Sequence, residues 1–296
     1  MAGNVSLGAA LVFDQRQCSL GEGPVWDSES GRFYWVDILE GKVLWRDLSG
    51  ANEGEYSLPA HIGAVLPGEN GVWWAFLTDG VFSMDSNGKN LKEVARFPHQ
   101  LGPEQGVARM RANDAAVSPR GDVLCGTMPY APDRHPGTAC LYRFDGATLE
   151  PIITGVTISN GLGWTGDGSQ VFYVDTPTGR VDCFDVGPQG ELLHRRPFCS
   201  LDSEPGFPDG LAVDGAGSVW VALWDGHRIQ RLSPDGELDG YIEVPARNVT
   251  SCAFGGPNLT TLVITTASLD DDSPAAGLTY FFELEVPGAP TYRVAS

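Results

Sequence analysis

Residues 22–38 read EGPVWDSESGRFYWVDI: an acid ahead of a short apolar stretch, a turn of small polar residues, then an aromatic strand. The same pattern recurs five more times. It appears as HIGAVLPGENGVWWAFL from His61, NDAAVSPRGDVLCGTM from Asn113, NGLGWTGDGSQVFYVDT from Asn160, DGLAVDGAGSVWVALW from Asp209 and TSCAFGGPNLTTLVITT from Thr250. Successive first residues lie 39, 52, 47, 49 and 41 positions apart, a recurrence that marks a repeat architecture. Each unit reads as a hairpin of two strands about a tight turn. Further strand material follows in most units, as in KVLWRDL from Lys42, TACLYRF from Thr138 and RVDCFDV from Arg180. Four strands per unit make the blade of a β-propeller. The fold class predicted is therefore all-β, a six-bladed β-propeller with a central metal-binding channel.

The 296 residues contain 38 Gly and 21 Pro, which suits a chain rich in turns. No composition break, charge block or Ser/Gly linker divides them, so residues 1–296 are expected to form one domain, large enough to bury a sizeable core. The opening segment NVSLGAALVF is expected to close the ring beside the last blade. It lacks a positively charged start and a cleavage site, so it does not read as a signal peptide. No stretch approaches the 18 or more apolar residues of a membrane span. A net charge of −19 argues against nucleic acid, which needs a basic face to displace counterions, and against anionic membranes. Six cysteines, at 18, 125, 140, 183, 199 and 252, show no metal-binding spacing and read as reduced core thiols. A cytoplasmic location follows as the expectation.

If the blades are equivalent, the residue just before each innermost strand falls at one height near the channel mouth. Those residues are Glu22, His61, Asn113, Asn160, Asp209 and Thr250, and each carries an oxygen or an imidazole nitrogen. Two carboxylates and two amide carbonyls converging on an axis make an oxygen-rich cage for a hard divalent cation. Asn and Asp before Gly also start turns, a reading that accounts for any one position but not for the convergence.

The chain resembles the senescence marker protein/gluconolactonase/luciferin-regenerating enzyme family. The resemblance rests on LGEGPVW around Glu22, RANDAAVSPRGDVLCGTM from Arg111, ISNGLGWTGDGSQVFYVDT from Ile158, FPDGLAVDGAGSVWVALWDG from Phe207 and FGGPNLTTLVITTAS from Phe254. It implies a six-bladed propeller with one divalent cation in the channel, held directly by Glu22, Asn160 and Asp209. It further implies that Arg111 and Asn113 contact substrate and that Asp209 guides the proton of the attacking water. Calcium is the first expectation for the ion, with zinc, manganese, magnesium or ferrous iron also compatible with an oxygen site. Two departures stand out. Ala115 replaces the usual glycine of the third repeat, and after GTM the acidic residue that regucalcin-like members use against sugar hydroxyls is absent. Tyr130 is the expected replacement wall.

Arg111 offers a planar fork of donors to substrate oxygens, with a channel-wall salt bridge as its structural alternative. His61, at the second repeat's equivalent position, is a candidate to contact a substrate hydroxyl or assist proton transfer. His99, His135, His194 and His227 are assigned to loops and strand ends. The segment EQGVARM from Glu104 and the loop SLDDDSPAAG from Ser268 are candidate lids, whose acidic run reads as a solvated loop tip. The resemblance implies metal-dependent hydrolysis of a sugar lactone, of aldonolactone or gluconolactone type, to the sugar acid. The partner is a small-molecule lactone, and the chain is expected to be a monomer or weak homo-oligomer. Two alternatives stay open: a metal-dependent esterase or phosphotriesterase-like hydrolase, and a non-enzymatic metal-binding regulatory propeller.

Overall fold

The computed structural model of the chain describes residues 4–98 and 108–295. The strands fall in consecutive antiparallel sheets, one per repeat. Blade one holds Gly21–Asp27, Arg32–Asp37, Lys42–Asp47 and Glu53–Ser57, and blade two holds Ile62–Pro67, Trp73–Leu77, Gly80–Met84 and Lys92–Arg96. Blade three is Met110–Val117, Val123–Pro129, Ala139–Phe144 and Leu149–Val156. Blade four is Ser159–Trp164, Gln170–Asp175, Arg180–Val186 and Leu192–Ser200. Blade five is Phe207–Val213, Val219–Trp224, Arg228–Leu232 and Leu238–Glu243, and blade six takes Asn248–Gly255, Thr261–Ala267 and Thr279–Glu283 from the end of the chain. The protein is a six-bladed β-propeller, with no α-helix among the described residues.

The opening segment divides into two strands. Leu11–Asp14 pairs antiparallel with Thr279–Glu283 and completes blade six. Ser6–Ala9 instead lies parallel to Leu238–Glu243 on the outside of blade five. The step between them falls at Ala10, which is buried in the seam between blades five and six while its N–H donates to the Glu243 carbonyl at 2.8 Å.

Six apolar clusters occupy the six seams between neighbouring blades. A strand such as Arg32–Asp37 is buried on both faces because the period of two splits its aromatics between seams. Phe33 and Trp35 enter the seam with blade six, and Tyr34 and Val36 the seam with blade two. Fully burying a side chain of this size contributes about 1.5–3 kcal/mol. Five of the six cysteines are buried, Cys199 is half-buried, and all six are free thiols. No helix of the described residues is long and apolar enough to cross a membrane.

The inner strands run down the axis, and their lower halves surround a cavity of about 170 Å³. It is mostly apolar, with Asp114 and Ser251 in its wall and residues 289–292 across it. The loop after Ala267 lies between the second and third strands of blade six and is held by Ser268 and Leu269 N–H groups donating to the Cys18 and Ser19 carbonyls. His99 and residues 104–107 of the other anticipated lid lie outside the described residues.

Candidate metal centre and substrate wall

In every blade the pairing of the first strand with the second slips near the mouth. The slips fall between Glu22 and Val25, Ile62 and Ala64, Ala112 and Ala115, Ser159 and Leu162, Pro208 and Leu211, and Val249 and Ser251. A bulge leaves a residue unpaired, bends the strand and re-aims its side chain. Five of the six repeat positions stand at or within these slips, and His61 immediately precedes its own.

The glycines beside them do not serve turns. Gly63, Gly161 and Gly210 are within strands and have no positive φ. They are small because the neighbouring inner strand is close: a Cβ on Gly63 would meet the Asn113 carbonyl oxygen at 2.6 Å, and one on Gly161 the Asp209 carbonyl oxygen at 2.6 Å. Ala115 likewise lies in a strand, at the edge of the third bulge, so the missing glycine there removes no turn.

These approaches bring Arg111, Asn113 and Asn160 into one hydrogen-bond network. Arg111 Nη1 donates to the Ala112 carbonyl at 2.9 Å and to Asn113 Oδ1 at 2.7 Å. Asn113 Nδ2 donates to the Ser159 carbonyl at 2.9 Å and to Asn160 Oδ1 at 3.2 Å, and Asn160 Nδ2 donates to Thr176 Oγ1 at 3.0 Å. The chain of bonds fixes which way each amide faces and directs Asn160 Oδ1 toward its neighbours. Glu22 Oε2 accepts the Gly23 N–H at 2.9 Å. Asp209 Oδ1 is buried with no hydrogen-bond partner, and it is the one carboxylate oxygen in that condition among the described residues. Thr250, the sixth position, is committed elsewhere. Its hydroxyl donates to the Gly21 carbonyl at 2.6 Å and to Thr265 Oγ1 at 2.9 Å, tying blade six to blade one.

Burial, then the charge of Asp114, pushes the Glu22 carboxyl up to about 8, against the Gly23 N–H and the Arg111 charge. The Asp209 carboxyl is raised by burial first and then by Glu22 and Asp114, against a hydrogen bond from the Asn160 side chain and the Arg111 charge. Asp114 itself is raised to about 6 by burial. Three acids thus crowd one space with too little positive charge to balance them. Asp114 had no assigned role in the sequence reading, where it passed as the partner letter of Asn113.

A cation would relieve this crowding. An unpartnered buried carboxylate oxygen, a second carboxylate and amide oxygens fit a hard divalent ion, which takes oxygen ligands. No group of three His, Cys, Asp or Glu side chains suited to a metal occurs among the described residues; the residues that would hold an ion are Glu22 and Asp209 with the amide of Asn160.

Arg111 is buried yet pairs with no carboxylate among the described residues, and its Nε and Nη2 make no protein hydrogen bond there. Burial lowers its pKa, while Tyr130, Glu22 and Asp209 act in the opposite sense. Tyr130 follows the second strand of blade three and crosses to blade two, where its hydroxyl lies 2.9 Å from His61 Nδ1 and 3.5 Å from Thr78 Oγ1. Burial, then Arg111 and Arg109, hold the His61 imidazole below its usual pKa. The other described histidines stand apart: His194 lies inside the outer strand of blade four, bonded to Asp185 at 2.9 Å, and His135 and His227 are in turns.

The chain is similar to known proteins over nearly its whole length. A pentonolactonase of Haloferax volcanii is 34% identical, with 93% of this chain and 94% of that protein aligned. A 6-deoxy-6-sulfogluconolactonase of Pseudomonas putida is 33% identical over 91% and 92% of the two chains. The crystal structure of a calcium-binding protein, regucalcin, from Agrobacterium tumefaciens superposes with a TM-score of 0.89, at 26% identity and with 99% of each chain covered. Residues 20–268 match the model of the SMP-30/gluconolactonase/LRE-like region, so the chain belongs to the SMP-30/gluconolactonase/LRE-like family.

Proposed function

We propose that the protein hydrolyses a sugar lactone to its sugar acid and depends on one divalent cation held by Glu22, Asn160 and Asp209. The observation that carries this reading is the unpartnered, buried Asp209 Oδ1 beside a second raised carboxyl and an oriented amide. The lactonase names of the relatives support the choice of substrate, and the calcium-binding description of the Agrobacterium protein supports the ion. When bound, a divalent ion supplies Lewis acidity to a carbonyl and to water.

The residues of the chain divide the remaining work. Asp209 accepts the proton of the attacking water as the water oxygen bonds to the lactone carbonyl carbon, and it returns that proton to the ring oxygen as the ring C–O bond breaks, which leaves the open-chain hydroxy acid. Arg111 presents Nε and Nη2 to substrate oxygens, and Asn113 holds that guanidinium through Nη1. Tyr130 and neutral His61 form the wall that meets the substrate's hydroxyl side. Binding of an ion without catalysis is the second reading, favoured by the calcium-binding relative. The free donors of Arg111 weigh against it, since a pure ion binder has no use for a fork beside the cage. Titration of the acid released from a panel of aldonolactones, with metal-free protein and each ion added back, tests both readings. Ion-dependent acid release supports hydrolysis, and tight ion binding with no release on any lactone leaves only the binder.

A further inference from the structure

One cation at the mouth has no place in this chemistry. Arg109 is exposed and lies two residues before Arg111, ahead of the third blade's bulge. The bond from the Tyr130 N–H extends the pairing one residue beyond Met110–Val117, so the alternation of a strand puts both arginines on the same face, about 7 Å apart along the chain. The Tyr130 N–H donates to the Arg109 carbonyl at 3.0 Å, which makes the two residues direct neighbours across the sheet. The guanidinium lies over the Tyr130 ring, 4.7 Å from its centroid, while His61 holds the hydroxyl of that ring. The cation is therefore braced on the Tyr130 ring, close enough to His61 to act on its charge. In a chain with 38 acidic and 19 basic residues, Arg109 has no carboxylate partner among the described residues.

The mouth has two electrical halves as a result. Glu22 and Asp209 lie on blades one and five, with Asp37 and Glu40 on the blade-one side of His61. Arg109 and Arg111 share the opposite wall on blade three, whose Asp114 lines the cavity below them. Where the family resemblance leads one to expect an acid facing sugar hydroxyls, this chain has Tyr130, the ring on which Arg109 lies.

We propose that Arg109 is a specificity residue that selects lactones bearing an anionic group, a sulfonate, phosphate or carboxylate, at the end of the sugar remote from the ring carbonyl. The inference rests on the lactonase reading: the carbonyl end meets the cage and Arg111, and the charged end meets Arg109 one step further out. Arginine suits such a group because its planar fork binds tetrahedral or carboxylate oxygens in pairs while its face stays stacked.

The test compares gluconolactone with its 6-phosphate and 6-deoxy-6-sulfonate, matched substrates that differ only at carbon six. The expected ratio of kcat/KM, charged over neutral, is about tenfold or more, as a charge-assisted hydrogen bond provides, and it should reside in KM. Arg109→Gln should bring the ratio toward one, Arg109→Glu below one, and Arg109→Lys should keep only part of it. A preference for one of the two anions over the other names the group. In parallel, calorimetric titration with gluconate and 6-phosphogluconate reads the same subsite without turnover. Hydrolysis of all three lactones with a ratio near one, or a ratio indifferent to Arg109, overturns this inference and leaves the lactonase reading in place. No hydrolysis with Arg109-dependent binding of 6-phosphogluconate retains the anion subsite and removes the lactonase reading, and absence of both overturns both.

Discussion

Asp209 is asked to do two things, and one substitution separates them. Asp209→Asn keeps an oxygen for the ion but cannot take a proton from water. At saturating ion, kcat is expected to fall about 10² to 10⁴-fold, the usual worth of a positioned base, with binding of the ion weakened more modestly. Steady-state kinetics across a metal titration checks this, and recovery of kcat on adding ion would leave Asp209 a ligand only. Glu22 supports a different prediction, in the metal-free protein. Its carboxyl rises to about 8 through burial and the nearby Asp114, so the folded chain holds a proton that the unfolded chain releases near 4.5. Folding then binds protons between those values, and stability falls as pH rises through that window. Thermal melts of metal-free protein from pH 5 to 8 should show Tm declining, Glu22→Gln should flatten the decline, and a divalent ion should oppose it at the upper end. A Tm that climbs across this range in both proteins would contradict the crowding of acids at the cage. Arg111→Ala should retain the ion yet lower kcat/KM by about ten- to a hundredfold, the loss of a hydrogen bond to a charged group. Unchanged efficiency on the best lactone would make Arg111 a wall residue.

Strands and their registers explain what the sequence displayed and what it hid. The six hairpins were legible because each repeats a turn and an aromatic strand, and the first residue of each stood out because the channel requires different chemistry there. The bulges left no such mark, since a slip in pairing is a property of two strands and can be made by many residues. For the same reason the alternative reading of Asn160 and Asp209 as turn starters before glycine was open, whereas Gly161 and Gly210 serve close contact between inner strands. Arg109 was hidden because its partner Tyr130 meets it only across the sheet, and the split at Ala10 was hidden because both halves of the opening segment are apolar. The glycines yield a prediction at this scale. Gly161→Ala places a methyl 2.6 Å from the Asp209 carbonyl oxygen and 3.0 Å from the Leu211 nitrogen, backbone atoms that have little room to move. Overpacking of this kind costs about 1–3 kcal/mol, and because the displaced strand carries Asp209, affinity for the ion should fall with Tm. Gly166→Ala is the control: nothing lies within 4 Å of its Cβ, and a surface change of this kind stays within about 0.5 kcal/mol. Equal melts for the two variants would mean that the inner strands tolerate separation.

At the scale of the whole ring, the proposed cage would draw Glu22 from blade one, Asn160 from blade four and Asp209 from blade five, so the ion would bridge elements that only the closed ring holds together. Closure depends on Leu11–Asp14, which pairs with Thr279–Glu283 and ends in a buried Asp14 whose carboxylate accepts two bonds from the Arg16 guanidinium, at 2.7 and 3.0 Å. Ser6–Ala9 contributes differently, since it adds an outer strand to blade five without joining the two ends of the ring. An ion that binds only the folded ring stabilises it by about 2.7 kcal/mol at a hundred times its Kd, or roughly 5 °C in a chain of this size. A chain that begins at Ala10 should therefore keep the full rise in Tm on adding ion, with a somewhat lower starting Tm from loss of the outer strand. A chain that begins at Gln15 lacks the closing strand, frees blade six from the chain's start and lets the three ligands drift apart, so its ion-dependent rise should vanish along with its affinity. Melts of both shortened chains against ion concentration decide the matter. An undiminished rise in the shorter chain would show that the cage is built by the inner strands alone and owes nothing to closure of the ring.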